Sequence, residues 1–261
     1  MKLILTLISL VYVFTSLDVF AMKVPKANVA PVIDGQSQDP AWQQAQWHAL
    51  SELIVGSQPS EADFSGRFKM VWDKEKLYLL VEITDDVLFD QHANPLHFYW
   101  DDDCIEIFID EDASGGDHQF NFNAFAYHVA LDNQVVDIGY KKPDGSPEFL
   151  TLNNHVTNKW QRNAQAPYVM TWELAIDVYD DSFTYKAHAD STTDITPELI
   201  GKPVSLHKGK KLGFMLAYCD NDGSKEREHF IGSTPITAVN GDKNLGYITA
   251  DVFETIELVD E

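Results

Sequence analysis

Residues 100–112 carry the pattern that most narrowly limits the fold, because the side chains of residues 105–109 within them alternate with a period of two. The two faces of this segment hold Ile105, Ile107 and Ile109 on one side, and Cys104, Glu106, Phe108 and Asp110 on the other. The pattern predicts a β-strand with one face in the core and a second, water-facing side that carries a carboxylate. Aspartates crowd both ends of the strand, which favours a cation site or a polar-ligand site. A solvated strand end is the alternative.

Similar alternation recurs along the chain between polar turns, and long amphipathic helices are missing. We predict a hairpin within 64–86 and further strands at 120–124, 127–131, 133–138, 168–176, 212–219 and 247–258. Short helical turns are predicted at Pro40, capped by Asp39, and at 197–200. Many strands and little helix predict an all-β fold, an antiparallel β-sandwich. It forms a single domain over 22–261, with a polar insertion at about 180–209.

The first 21 residues are typical of a secretory signal peptide. Lys2 gives a basic start, residues 3–17 are apolar, and the small residue Ala21 is suited to cleavage by a signal peptidase after it. No later run approaches the roughly 18 apolar residues of a membrane span. The mature chain is therefore expected to be exported, either to the periplasm or to the medium.

The charge balance limits the classes of molecule that this protein can be expected to bind. Lys and Arg number 19 against 41 Asp and Glu, which gives a net charge of -22. Such a field repels phosphate backbones and anionic lipids, so nucleic acid and membrane surfaces are poor partners. It favours divalent cations and neutral ligands, although the same charge also serves plain solubility.

An ordered set of short motifs is similar to one known family. The matching segments are Val32-Ile-Asp-Gly35, Asp39-Pro-Ala-Trp42, Val71-Trp-Asp73, Leu77-Tyr-Leu79, Asp85-Asp86, Trp100, Asp103–Asp110, Gln119–Asn123, Leu212-Gly-Phe214 and Asp220-Asn-Asp-Gly223. In this order and spacing, roughly over 31–250, the chain resembles a family 9 carbohydrate-binding module. Its DOMON-like superfamily also contains haem-binding electron-transfer modules. Within the first motifs, Trp42 is expected to be buried.

The resemblance implies a non-catalytic sandwich with bound calcium and a sugar slot in which two tryptophans enclose the ligand. The first tryptophan corresponds to Trp100, the carboxylate to Glu106 and an asparagine to Asn123. The family's arginine position holds Asn121. Its glutamine and second tryptophan positions fall on Ala217 and near Val239. The sequence therefore predicts a sugar site formed by Trp100, Glu106, Asn121 and Asn123.

One tryptophan is not sufficient for binding. If a sugar face buries about 80 Å² on an indole ring, it contributes about 2 kcal/mol. Millimolar affinity needs about 4 kcal/mol. A second aromatic or several hydrogen bonds must supply the rest, and the candidate aromatics are Trp160, Tyr140, Phe89 and Tyr99. The amides of Asn121 and Asn123 suit sugar hydroxyls, unless they only form the polar face of an edge strand.

Carboxylates in turns predict calcium, because hard cations prefer several oxygen ligands. The candidate ligands are Asp220, Asp222, Asp101 and Asp103, and the pairs Asp85–Asp86 and Asp110–Asp112 offer more. The turn 220–223 is equally an ordinary Asx turn with Gly223 in the left-handed region.

Other chemistries are less well supported. Cys104 and Cys219 lie in strand-like runs of an exported chain, so they form either one disulfide or two free thiols. The nine histidines show no zinc-ligand spacing, and nucleophile-elbow and phosphate-loop motifs are missing. The sequence predicts an exported, non-enzymatic protein that binds poly- or oligosaccharides and works beside other exported carbohydrate-active proteins. The alternatives are a haem b module, with Met70 or Met170 and His128 as axial ligands, and a structural subunit with a degenerate sugar slot.

Overall fold

A computed structural model describes residues 21–186 and 198–260. Its regular structure is almost entirely β, with 3-10 turns at Pro40–Gln44, Tyr99–Asp101 and Ala250–Val252. The sixteen strands of the described residues are β1 (Met22–Pro25), β2 (His48–Leu50), β3 (Glu52–Gly56), β4 (Phe64–Trp72), β5 (Leu77–Asp85), β6 (Cys104–Asp110), β7 (Phe125–Ala130), β8 (Val135–Lys141), β9 (Pro147–Thr151), β10 (Val156–Arg162), β11 (Val169–Ile176), β12 (Thr184–Lys186), β13 (Glu198–Ile200), β14 (Lys211–Asp220), β15 (His229–Gly232) and β16 (Glu254–Val259).

Two sheets pack face to face and confirm the predicted sandwich. The larger has the order β1-β16-β14-β6-β7-β8-β9, and β15 joins β14 to β3. The smaller has the order β10-β11-β5-β4-β2. Strand pairing is antiparallel except between β1 and β16, which run parallel. Side chains from both sheets meet in one core, where the rings of Phe68 on β4 and Phe214 on β14 lie 5.9 Å apart.

Strand β6 has the two faces that its alternation predicts, but both are covered. Ile105, Ile107 and Ile109 belong to the core between the sheets. Cys104 and Phe108 belong to a second apolar cluster on the outer face of the larger sheet. Distant segments carrying residues such as Phe230, Ile236 and Phe253 fold over that face. The expectation of a water-facing side along β6 is therefore wrong, because apolar side chains remote in sequence shield it from solvent.

The N-terminal motif is organised by a buried carboxylate on β11. Glu173 is fully buried and accepts hydrogen bonds from the backbone N–H groups of Asp34 (2.9 Å) and Gly35 (3.0 Å) and from the indole N–H of Trp42 (2.9 Å). Gly35 takes a φ of 82°, which is the left-handed conformation that glycine adopts without a Cβ clash. Trp42 is only 2% exposed, as predicted. This arrangement ties the entry of the chain to the smaller sheet.

Some local predictions are wrong. Residues 120–124 form bends rather than a strand, and β7 begins at Phe125. The final strand begins at Glu254, not at 247. Pro40 opens a 3-10 turn, but the Asp39 side chain bonds to the N–H of Val32 instead of capping that turn.

The insertion and the N-terminus complete the description. Glu198–Ile200 pairs with β12 as a strand, where a helical turn was expected. The first 20 residues, which carry most of the predicted signal peptide, lie outside the described part of the chain. None of the described helices is long and apolar enough to cross a bilayer.

Candidate functional site

A cavity of about 310 Å³ opens on the outer face of the larger sheet, above β6, β7, β8 and β9. Four aromatic residues line it: Tyr99, Trp100, Phe149 and Tyr247. Five polar residues join them: Glu106, Gln119, His128, Arg227 and Asn244. A mostly apolar concavity with a few converging polar groups is the usual form of a small-ligand site.

Trp100 reaches the cavity on the short 3-10 turn that precedes β6. The entry loop, residues 86–103, is fastened by backbone N–H groups that donate to aspartates. Phe89 donates to Asp103 Oδ2 over 2.6 Å, and Gln91 donates to Asp102 Oδ1 over 2.9 Å. Trp100 is half-buried, and its ring lies 6.0 Å from Phe149 at 47°. The two rings form an aromatic corner at the cavity wall.

Tyr99, the neighbour of Trp100, is buried and braces this corner. Its ring meets Phe149 edge to face at 5.3 Å and His128 at 4.4 Å. Such edge-to-face pairs stabilise the orientation of the rings. The aromatic wall is therefore connected directly to the polar floor of the cavity.

Glu106 is the centre of that floor and is only 3% exposed. Its Oε1 lies 2.7 Å from His128 Nε2 and accepts hydrogen bonds from Arg227 (3.0 Å) and from the Cys219 thiol (3.1 Å). The Arg227 guanidinium lies over the Phe230 ring at 4.1 Å. All these contacts use one carboxylate oxygen, so Oε2 remains for a ligand.

The charges on the floor stabilise one another. Burial alone would raise the pKa of Glu106, but His128 and Arg227 outweigh it and lower the pKa to about 2. Burial alone would lower the pKa of His128, but Glu106 and the Cys219 sulfur raise it to about 9. Near neutral pH, an ionised carboxylate thus lies between two cationic side chains.

A second polar cluster, the acid cluster, lies at the edge of the sandwich core. Asp85, Asp103 and Asp220 are at most 1% exposed, and their carboxylate oxygens lie within 4.8 Å of one another. Asp85 Oδ2 accepts a hydrogen bond from Tyr218 (2.7 Å), whereas Asp85 Oδ1 and Asp220 Oδ1 are buried without a partner. Unpaired buried oxygens that converge are the donor set a hard cation requires.

Burial and mutual repulsion make the acid cluster hard to ionise. Burial raises the pKa of Asp85 to about 6. Burial together with the charge of Asp85 raises the pKa of Asp103 to about 9 and that of Asp220 to about 8. A bound divalent cation would remove this penalty by neutralising the carboxylates, so the three residues fit a calcium ion.

Comparison with known proteins identifies the family. The family described as "Carbohydrate family 9 binding domain-like" matches residues 33–261, which is most of the chain. The chain belongs to this family. The resemblance found in the sequence motifs is confirmed.

The chain matches only a small part of the length of its much longer curated relatives. The endo-1,4-beta-xylanase A of Thermotoga neapolitana is 36% identical over 81 residues, which cover 31% of this chain and 7% of the xylanase. The endo-1,4-beta-xylanase A of Thermoanaerobacterium saccharolyticum is 31% identical over 131 residues, or 49% of this chain and 10% of that enzyme.

Solved family 9 modules share the fold. A module from Caldicellulosiruptor kristjanssonii in complex with cellotriose has a TM-score of 0.60 at 20% identity, covering 93% of this chain and 95% of that module. The glucose complex from the same organism gives the same TM-score and identity, with 97% of that module covered.

The structure brings together two of the four sugar-site residues predicted from the motifs. Trp100 and Glu106 line the same cavity. Asn121 and Asn123 do not line it, because they stabilise the turn before β7 by bonding to the carbonyls of Asp117 (3.1 Å) and Gly115 (2.7 Å). The strand predicted at 120–124 is wrong, because these residues lie in the turn and bend that precede β7.

The other family positions also depart from a tryptophan sandwich. Ala217 lies opposite Glu106 on β14, where its small side chain leaves room for Arg227 and Cys219. Val239 is 56% exposed and does not line the cavity. Of the four candidate aromatics, Tyr99 lines the cavity. Phe149 and Tyr247 also line it, although the sequence did not predict them.

Arg227 supplies the guanidinium that the motif comparison did not find. It comes from the charged run before β15, and its own backbone N–H donates to Asp101 Oδ1 over 3.2 Å. Asp101 therefore positions this loop and is not part of the acid cluster. Of the other proposed calcium ligands, Asp103 and Asp220 meet in the cluster, whereas Asp222 groups with Asp63 and Asp86.

The structure also places the cysteines and the proposed haem ligands. Cys104 and Cys219 lie opposite each other on β6 and β14, and both thiols are free in this structure. Met70 and Met170 lie inside the core between the sheets. His128 lies on the outer face of the larger sheet, so it forms no axial pair with either methionine.

Proposed function

We propose that this chain is an exported, non-catalytic protein that binds a neutral oligosaccharide in the cavity beside Trp100. The observation that carries the proposal is that aromatic faces and hydrogen-bonding groups line one concavity. A pyranose presents C–H faces that pack on aromatic rings and hydroxyls that pair with amides, carboxylates and guanidinium groups. The family 9 modules from Caldicellulosiruptor kristjanssonii bind cellotriose and glucose, so these sugars are the first probes.

Two aromatic contacts bring the binding energy into the useful range. Burial of about 80 Å² of sugar on Trp100 contributes about 2 kcal/mol, and a similar contact with Phe149 or Tyr247 doubles it. About 4 kcal/mol corresponds to millimolar affinity. The amides of Gln119 and Asn244 and the free oxygen of Glu106 then add affinity and select the pattern of hydroxyls.

The same cavity argues for binding over glycoside hydrolysis. Among the described residues that line it, Glu106 is the only carboxylate, whereas glycosidases use a pair. A catalytic acid needs a raised pKa. His128 and Arg227 instead lower the pKa of Glu106 to about 2, against the opposing effect of burial. Such a carboxylate accepts hydrogen bonds from hydroxyls but holds no proton to donate near neutral pH.

Calcium is part of the proposal as a structural ion. Asp85, Asp103 and Asp220 would hold it, and the two buried oxygens without partners support this assignment. When bound, calcium supplies positive charge that neutralises the three carboxylates. Asp103 also accepts the N–H of Phe89, so it links the acid cluster to the entry loop that carries Trp100.

The binding test is isothermal titration with cellotriose and glucose in calcium-containing buffer. Replacement of Trp100 by alanine should remove about 2 kcal/mol, which is a loss of about 30-fold in affinity. Trp47→Ala is the matched control, because that indole contacts Arg67 outside the cavity and its removal should leave binding unchanged.

Two results would overturn the proposal. Unchanged affinity after Trp100→Ala would show that the sugar binds elsewhere. A wild-type protein that binds no member of a glycan panel at millimolar ligand would instead favour a structural subunit with a degenerate slot.

Export and partnership complete the proposal. The basic, apolar and small-residue order of residues 1–21 supports secretion, and N-terminal sequencing of the exported protein should then begin at Met22. The xylanase relatives support work beside other exported carbohydrate-active enzymes. Co-purification from the exported fraction tests that association.

A further inference from the structure

Four potential metal ligands of three chemical types converge beneath the cavity. They are Cys104, Glu106, His128 and Cys219, and one ligand atom of each lies within 4.8 Å of all the others. All four side chains are buried, the most exposed being His128 at 7%. Their sequence separation hides this group, because three different strands contribute.

Strand register explains the convergence. On β6, Cys104 and Glu106 are two residues apart and share the outer face. Cys219 lies opposite Cys104 on β14, and His128 lies opposite Glu106 on β7. The other residues paired with β6 at these two positions are alanines: Ala217 lies opposite Glu106 on β14, and Ala130 lies opposite Cys104 on β7. Small side chains there leave space between the four polar groups.

His128 shows that this group is not a completed hydrogen-bond network. Its Nε2 approaches Glu106 Oε1 to 2.7 Å but lacks the alignment of a hydrogen bond, and its Nδ1 has no hydrogen-bond partner either. A buried imidazole with unpaired nitrogens is uncommon, because unsatisfied buried polar groups are destabilising. A metal ion bound by one ring nitrogen would give that nitrogen the partner it lacks.

We propose that Cys104, Glu106, His128 and Cys219 form a binding site for a thiolate-seeking divalent cation of the zinc class. Zinc prefers four ligands drawn from cysteine, histidine and carboxylate, arranged as a tetrahedron. From a Zn–S bond of about 2.3 Å, two sulfurs in such a site lie about 3.8 Å apart. The observed cluster therefore closes around the ion with ligand movements of about 1 Å.

The charge balance and the contacts of Arg227 with two of the ligands agree with this assignment. Two thiolates and one carboxylate carry three negative charges, and Zn²⁺ with the Arg227 guanidinium carries three positive charges. Arg227 already donates to Cys219 (3.0 Å) and to Glu106 (3.0 Å), which is how outer groups orient metal ligands.

The ligand chemistry separates this site from the acid cluster. Asp85, Asp103 and Asp220 offer only oxygen, which suits calcium. Sulfur and imidazole suit zinc and are poor ligands for calcium. Glu106 and His128 also line the cavity, but Trp100 is not one of the four zinc ligands, so its removal distinguishes the two sites.

Direct metal binding tests the proposal. The full mature chain is reduced, its two thiols are counted, and zinc is titrated by calorimetry in saturating calcium, which keeps the acid cluster occupied. We expect one zinc per chain. Binding should release protons near pH 7, because zinc ligands must be deprotonated. Cobalt should give the intense visible bands of a tetrahedral site and a sulfur-to-metal charge-transfer band.

Variants assign the ligands. Cys219→Ser and His128→Gln should each weaken zinc affinity by more than about 100-fold, because even the loss of a group that only hydrogen-bonds to a metal ligand costs about 10–100-fold. His207→Gln, at an exposed histidine, should leave zinc affinity unchanged. Trp100→Ala should lose sugar but keep zinc, which separates the two sites.

Two outcomes would overturn the zinc site. One is reduced wild-type protein, with two countable thiols, that gives no cobalt–thiolate absorption. The other is zinc binding that neither Cys219→Ser nor His128→Gln weakens. If the variants do not fold, the cobalt spectrum and proton release of the wild-type protein decide the question.

Discussion

Calcium removal should make the stability of this protein fall as the pH rises. In the metal-free state, burial, with the charge of Asp85 acting on the other two, raises the pKa of Asp85 to about 6, of Asp220 to about 8 and of Asp103 to about 9. An unfolded aspartate titrates at 3.8. Between these values the folded protein binds more protons than the unfolded chain, so the free energy of unfolding decreases as the pH rises.

The magnitude follows from Asp85, the least perturbed of the three. A tenfold difference in proton affinity is worth about 1.4 kcal/mol, so a pKa of about 6 against 3.8 corresponds to about 3 kcal/mol. About half of this falls between pH 5 and pH 8. For a domain of this size 1 kcal/mol moves Tm by about 2–4 °C, so Asp85 alone should lower the metal-free Tm by about 3–6 °C. Asp103 and Asp220 add to the decrease.

Calcium should reverse this trend. At a concentration about 100 times its Kd, a ligand of the folded state contributes about 2.7 kcal/mol. At pH 8 that corresponds to a rise in Tm of about 5–11 °C. At pH 5 the rise should be smaller, because protons compete for the same oxygens. Calorimetric melting in chelator and in calcium, at pH 5 and at pH 8, measures the four Tm values that this prediction compares.

Asp220→Asn makes the test specific. In chelator at pH 8 the variant should melt above the wild type, because one buried charge is removed from the acid cluster. In calcium it should melt below the wild type, because the cation loses a ligand. Asp181→Asn removes one charge at an exposed position and should leave the calcium response unchanged. The reasoning fails if Asp220→Asn keeps the full calcium shift, or if the metal-free wild type becomes more stable from pH 5 to pH 8.

Three further predictions concern buried groups. Glu173→Ala leaves three N–H groups of the N-terminal motif without their acceptor and should lower the free energy of unfolding by about 3 kcal/mol. Denaturant titration measures this change, and a decrease below about 1 kcal/mol would contradict the prediction. Cys104 and Cys219 are free and at most 1% exposed, so both should react with a thiol reagent only after denaturation; a thiol count of zero without reductant would refute this. Arg227→Lys keeps the charge but loses the planar donor group that contacts Glu106. The free energy of unfolding should fall by about 1–2 kcal/mol, which lowers Tm by about 2–8 °C. An unchanged Tm would show that the charge alone suffices.

The fold was accessible from the sequence because alternation is a local property. Strands β4, β5, β6 and β14 each show the period of two that packing in a sandwich requires, and their predicted positions are confirmed. The covering of the outer face was not accessible. Phe230 and Phe253 reach it from segments that do not alternate, and only the three-dimensional path of the chain brings them over β6.

The site was accessible only where a motif marked it. Trp100 and Glu106 belong to the segment that resembles the family. Arg227 lies in a charged run that reads as a solvated loop, and its contact with Glu106 depends on how the chain returns from β14 to β15. His128 meets Glu106 because β6 and β7 pair in one particular register. Alternation fixes which face a side chain takes, but not which residue stands opposite on the next strand.

Strand β6 explains how one segment serves separate sites. Asp103 meets Asp85 and Asp220 at the edge of the core, whereas the next residue, Cys104, takes the outer face that also carries Glu106. Consecutive strand residues point to opposite faces, so an oxygen-rich cluster and a sulfur-containing cluster lie close in sequence on opposite sides of the sheet. The two clusters therefore differ in their donor atoms, which is what would let the two proposed sites select different cations. Asp103 also accepts the N–H of Phe89, so the acid cluster helps to fix the entry loop that carries Trp100.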